Sequence, residues 1–559
     1  MSIFRLAAIS LLSASAFAQS IPPAVKSAEA SIDPEKIRAH VKFLSDDLLE
    51  GRGPGMRGDE IAAQYIATQF ELYGLKPGGD NGTYMQMVNF VGTKTIADKT
   101  HFSLVPDKPK DGGMNIMLHS YDLNYSDDFT VNNRKLTETA DIKAPIVFVG
   151  YGVVAPEYGW NDYAGIDVKG KVVLCIVGDP PSDDPKFFGG KALTYYGRWT
   201  YKFEEAARQG AIGALIIHRT DLASYGWDVV KNSNTSEKTY LRDNKDPQLE
   251  AASWITLESA GTLFHAANLD RDAEIAAAGK KGFKAVPLPV SLEAHIEAKV
   301  RSFQSPNIVA ILPGQNVAAG KPDQAVMYTA HHDHLGFVPG MAGDNIYNGA
   351  ADNATGVGML LELARAWAAS GIKPPHSVIF AAVAAEEQGL LGSEYLGQHP
   401  PIPTAQIALD INYDMILPVG IPLEVNVNGA QRTTFYPTVQ ATAKRFNLTI
   451  VPDAHPEAGG YYRSDHFSLS RVGIPAFSVD QEELFEGHDR AWGEAKSKAF
   501  VAHDYHNFSD NYHADWDFKG NAKLLRFGME LGWQAISAPT SIQWLQHDEF
   551  EAARKASQK

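Results

Sequence analysis

Five stretches in the second half of the chain concentrate side chains that bind divalent cations and move protons. They are AHHDHLG from Ala330, GAADNATG from Gly349, AAEEQGLLGS from Ala384, NYDM from Asn412 and AHDYHNFSDNYHADWD from Ala502. Imidazole nitrogen and carboxylate oxygen are the donors that zinc takes. Crowding these groups at one place costs stability through repulsion and desolvation unless a cation neutralises them. A single cluster of this kind is ordinary surface decoration. Several in chain order, most of them directly after an apolar run, point to metal-assisted hydrolysis. The adjacent pair Glu386 and Glu387 fits that chemistry. Consecutive side chains at a strand end point in different directions, so one can bind metal while the other handles protons.

The runs that must position these residues alternate with helical segments from Ser305 onward. AVMYTA, SVIFAAVAA, IALDINYDM and IPAFSVD read as strands, with helices at Thr355 to Ala369, near Leu390 and at Phe435 to Phe446. Continuous apolar runs suit strands buried on both faces, so the expected fold class is α/β, a mixed, largely parallel sheet flanked by helices. Reactive side chains in such sheets belong at the strand carboxyl ends. Upstream, Ile37, Val41, Leu44 and Leu48 recur at helical spacing, GRGPGMRG forms a Gly-rich turn, and a second helix spans about Asp59 to Tyr73 before a short strand near Tyr84 to Phe90. From about Tyr125 to Ala298 the texture is strand-like runs between Gly, Pro and polar loops, which predicts an inserted β-rich domain.

At these motifs the chain resembles the M28 family of zinc peptidases, specifically bacterial members carrying a protease-associated (PA) domain. FLSDDLLEGRGPG and DYAGIDVKGKVVL extend the resemblance to nearly everything after the first residues. It implies a zinc exopeptidase fold, two zinc ions per chain and a peptide substrate. Carried over residue by residue, His331 and Asp414 would hold one zinc, Glu387 and His506 the other, and Asp352 would bridge them. Glu386 would be the general base. Asp333 would accept the second imidazole N–H of His331 and fix its orientation. The Tyr-His pair with an aspartate four residues on matches Tyr505, His506 and Asp510, and Tyr505 would donate to the oxyanion. Tyr512, His513 and Asp517 form a competing match. His332, His334, Asp465 and His466 read as neighbours of the site, not ligands. Relatives with this arrangement resemble aminopeptidases. A glutaminyl cyclase, a peptidase of the related M20 family and a receptor-like relative remain as alternatives.

The expected organisation is a signal peptide at 1–18, the N-terminal part of the peptidase domain at 19–124, the PA-like insert at 125–298 and the catalytic domain at 299–559. Arg5, the apolar run Leu6 to Leu12 and small residues at Ala16 and Ala18 predict cleavage after Ala18 and export to a periplasmic or extracellular space. No later run is long and apolar enough to span a bilayer. The sole cysteine, Cys175, lies in a strand-like run and has no intrachain partner. The balance of 50 Lys and Arg against 66 Asp and Glu gives a formal charge of −16, without the basic clusters that track a phosphate backbone, which argues against nucleic acid.

Overall fold

The computed structural model describes residues 21–107, 119–223, 225–453 and 456–559. The expected signal at 1–18 lies outside them. Asp33 caps the helix Pro34–Leu44 by accepting the Glu35 amide at 2.9 Å, with proline at the first helical position and Ile37, Val41 and Leu44 buried. The helix Arg57–Leu72 turns Ala62, Ala63, Ile66 and Phe70 into the same core.

The half that carries the motifs is a mixed α/β layer. Ala476–Ser478, Ile407–Asn412, Ala325–His331 and Val378–Val383 pair in that order as parallel strands. All are fully buried, as expected of strands covered on both faces. The helix Thr355–Ala369, with the same bounds as expected, packs its apolar surface against them, alongside Lys519–Ile536.

One strand joins the two halves of the molecule. Val286–Leu312, 27 residues long, pairs antiparallel with Val378–Val383 through Ile308 to Leu312 and with Met85–Thr95 through Ala298 to Ile308. Its N-terminal stretch pairs with His101–Pro106 and Thr139–Phe148. Beyond Thr139–Phe148 run Val172–Ile176, Gly213–Ile217 and Ala251–Ile255, mutually parallel, then antiparallel Phe129–Asn132. Position 298 lies within the long strand. Cys175 is fully buried in Val172–Ile176, and burial pushes its thiol up to about 12, so it is chemically quiet. Among the described residues no helix is long and apolar enough to cross a membrane.

Candidate metal centre

The carboxyl ends of the parallel strands converge on one pocket. His331 is the last residue of its strand, Asp414 follows Ile407–Asn412 by two residues, and Glu386 and Glu387 follow Val378–Val383 by three and four. Asp352 lies in the turn Ala350–Ala354 that opens the helix Thr355–Ala369. Gly349 enters that turn at φ +57°, where a Cβ would lie 2.3 Å from the Asp352 carbonyl oxygen and 2.6 Å from the His334 ring, so glycine is required.

Two donor sets share Asp352. His331 Nε2 is 3.2 Å from Asp352 Oδ1 and 3.2 Å from Asp414 Oδ1. His506 Nε2 is 3.2 Å from Asp352 Oδ2 and 3.1 Å from Glu387 Oε2. Each Asp352 oxygen thus faces a different histidine. His334 also enters the second set, its Nδ1 2.6 Å from Glu387 Oε1, while its buried Nε2 has no hydrogen-bond partner. His331, Asp352 and Asp414, and likewise His334, Asp352 and Glu387, present donor atoms within 4.8 Å of one another. Donor types and spacing of this kind can accommodate zinc.

The electrostatics agree with that reading. Burial opposes charge on His331, yet Asp414, Glu386, Asp333 and Asp352 hold it well above the usual imidazole range. Burial likewise disfavours ionised Asp352, but His331, His506 and His334 keep it well below the carboxylate range, and Glu387 is held at about 2 against its own burial by His334 and His506. Glu386 behaves oppositely: burial, reinforced by Asp414, Glu387 and Asp465, pushes it well above the usual range. Of two adjacent glutamates, one is held as an anion and the other has high proton affinity, the division expected of a ligand and a base.

Supporting residues fix the candidate donors. The Asp333 carboxylate lies 3.7 Å from His331 Nδ1, whose nearer partner is the Asp333 carbonyl oxygen at 3.2 Å. That carboxylate also accepts the amides of Glu386 at 3.1 Å and Glu387 at 3.4 Å, coupling two motifs. Ser464 Oγ donates to Asp414 Oδ2 at 2.6 Å and accepts from Asn412 Nδ2 at 2.7 Å. The Asp510 carboxylate accepts the amides of Ala351 at 2.9 Å and Asp352 at 3.1 Å. The aspartate of the Tyr-His motif therefore shapes the Asp352 turn.

The structure brings His506 to the site and not His513, whose ring lies 5.6 Å from Trp516. Tyr505 stacks on His506 with centroids 3.9 Å apart, and burial together with the Asp352 and Glu387 charges pushes its hydroxyl well above the usual range. His332 turns away, its Nε2 3.0 Å from the Pro306 carbonyl and its Nδ1 3.4 Å from Asp59. Asp465 and His466 are buried, and the Asp465 carboxylate acts electrostatically on Glu386.

Arg52, within the GRGPG turn, has contacts that no local pattern signals. Fully buried, it donates from Nε to the His332 carbonyl at 2.8 Å, from Nη1 to those of Asn348 at 2.7 Å and Leu44, and from Nη2 to that of Gly349 at 2.9 Å. It ties the GRGPG turn to the backbones carrying His331 and Asp352. Arg52→Met should leave several buried carbonyls unsatisfied at roughly 1–3 kcal/mol each. We expect denaturant unfolding to show a loss of about 3 kcal/mol or more; a loss within about 0.5 kcal/mol, the range of an ordinary surface substitution, would contradict this role.

Residues 307–525 match the model of peptidase family M28. Leupeptin-inactivating enzyme 1 of Streptomyces exfoliatus is 29% identical over 208 residues, 35% of this chain and 40% of that protein. A protein named "Probable zinc metalloprotease" from Pyrenophora tritici-repentis (strain Pt-1C-BFP) is 39% identical over 110 residues, 20% of this chain and 24% of its own. The chain thus spans less than half the length of these curated relatives. Among solved structures, an aminopeptidase from Aneurinibacillus sp. strain AM-1 aligns with a TM-score of 0.47 at 18% identity, over 91% of this chain and 96% of that one. The part of the chain that carries the site is similar to zinc-dependent peptidases.

Proposed function

We propose that this protein is a di-zinc aminopeptidase that releases single residues from free peptide N-termini. The observation that carries the reading is Asp352, whose two oxygens face separate histidine and carboxylate sets. His331 and Asp414 would hold one zinc, and Glu387 and His506 the other, with His334 orienting Glu387 or joining that set. Zinc bound there would polarise the scissile carbonyl and acidify water. Glu386 would accept a proton from the attacking water and return it to the leaving amine, while Tyr505 would donate to the oxyanion. The region 125–298, read as the PA-like insert, would flank the cleft.

A terminal α-ammonium held by carboxylates beside the metals would place the first peptide bond over the water. Such orientation is worth several kcal/mol in well-ordered sites. N-acetylation should therefore lower kcat/KM by about 100-fold or more, measured on one peptide in free and acetylated forms. Equal rates, or cleavage at internal bonds, would overturn the aminopeptidase reading and leave the metal-dependent hydrolase reading standing.

A further inference from the structure

One strand of the region 125–298 joins the half that carries the metal centre. Thr139–Phe148, Val172–Ile176, Gly213–Ile217 and Ala251–Ile255 pair with one another in that order. Lys238–Leu241 instead pairs antiparallel with Met85–Thr95 and, among the described residues, with no other strand. Leu241 lies opposite Phe90 and Lys238 opposite Thr93. Both ends are fastened. Glu237 pairs with Arg301 at 2.6 Å, in space that Gly92 leaves free, since a Cβ there would lie 2.7 Å from the Glu237 carboxyl carbon. At the other end Asp243 accepts from Asn89 Nδ2 at 3.0 Å, and the Arg242 amide donates to the Asn89 carbonyl at 2.9 Å.

Alternation along the strand turns Thr239 and Leu241 to one face, and both are buried whereas Lys238 and Tyr240 are half-buried. That face meets the loop 384–391, which bears Glu386 and Glu387. Thr239 Oγ1 donates to Gln388 Oε1 at 3.2 Å. Leu241 belongs to one apolar cluster with Ala385, Leu391, Val88 and Phe90. Ala385 and Gln388, the residues that flank the two glutamates, are thus tied to this strand by an apolar cluster and a hydrogen bond.

The loop needs such support. Ala385 at φ +54° and Leu390 at φ +63° take left-handed backbone, which side chains other than glycine rarely adopt and which persists where the surroundings impose it. The amides of Gly389 and Leu390 donate to the Glu386 carbonyl at 2.8 and 2.9 Å, so the turn through Gln388 sets the Glu386 backbone. Asp333 accepts the Glu386 and Glu387 amides, and Thr239 holds the next residue from the region 125–298.

We propose that Thr239 and Leu241 are positioning residues for Glu386. Through them the region 125–298 acts on the base from outside residues 307–525, the stretch that matches the family model. This rests on the peptidase reading above, in which Glu386 is the base.

The test uses the full chain loaded with zinc and the unacetylated peptide of the preceding test. Thr239→Val and Gln388→Leu should each lower kcat by about three- to tenfold, the scale of one hydrogen bond, with KM and zinc content little changed. The double variant should be no worse than either single one, and Thr239→Ser should stay near wild type. In the Glu386→Gln background, Thr239→Val should cause no further loss. Leu241→Ala should act in the same direction as Thr239→Val. Hydrogen exchange reads the loop without any turnover: amides at 386, 387 and 389–392 should exchange about threefold or more faster in the variants, and those of Ala325–His331 should not. Unchanged exchange in the loop, or faster exchange with kcat unchanged, would overturn the positioning role. So would faster exchange shared equally by Ala325–His331, the mark of a general loss of stability. Faster exchange confined to the loop, in a protein that cleaves no peptide even as wild type, would support the strand's hold on Glu386 and overturn the peptidase reading.

Discussion

Replacing Asp352 by asparagine should, on the di-zinc reading proposed above, lower zinc at both positions together, so that metal analysis after dialysis finds a fall from two equivalents towards none and not a halfway value of one. The reason is geometric. Asp352 Oδ1 faces His331 and Oδ2 faces His506, and no other described carboxylate contacts both histidines at these distances. Asparagine offers one neutral oxygen in place of two charged ones, so both donor sets lose charge at once. Outer partners of metal ligands are typically worth about 10–100-fold in metal affinity, and loss of a ligand shared by two ions should exceed that. His331 and His506 are held above their usual range by Asp352 among others, so the variant should also release that constraint. Retention of two tightly bound zinc ions would assign the bridge to another group.

The strands and their chemistry were legible because both signals are local. A run such as VIFAAV is fully buried and reads as an interior strand, and the acids and histidines follow such runs within a few residues. His506 is preferred over His513 on the YHxxSD form of its motif, although each follows a tyrosine and precedes an aspartate by four, and the fold sets His506 beside Asp352 and Glu387. Asp510 and His334 stood out as residues near the site, but the contacts that they and Arg52 make were illegible for a different reason. Arg52 acts on carbonyls at positions 44, 332, 348 and 349, and Asp510 on amides about 160 residues away, contacts that no local pattern encodes. His334 lies next to Asp333 in sequence but bonds to Glu387, which only strand order brings near. The long strand Val286–Leu312 changes from alternating to continuous burial along its length, because a single face is covered near its start and both faces are covered near its end. A change of pattern within one strand resembles a boundary when read as text. The strand expected near Tyr84 to Phe90 runs from Met85 to Thr95, because Gly92 to Thr95 are held by pairing to Arg301 through Ala298.

Glu386→Gln should leave zinc content near two equivalents and reduce kcat by about 10²–10⁴-fold, the range associated with a positioned general base. Glu386 lies within the field of the candidate ligands without being held as they are. Burial, Asp414, Glu387 and Asp465 raise its proton affinity, whereas Glu387 is held at about 2 by histidines despite burial. Glutamine preserves size and the backbone amide that donates to Asp333, so the neighbouring ligands keep their support. What it removes is the capacity to accept a proton and return it. If the carboxylate acts in the transition state and not in substrate binding, KM should change little while kcat and kcat/KM fall together. Glu387→Gln offers the contrast: it should lose zinc as well as turnover, and added zinc should restore some of its activity but none of that of Glu386→Gln. Near-normal turnover in Glu386→Gln with full zinc occupancy would remove Glu386 from the mechanism and leave the base to be sought among the remaining acids facing the cleft.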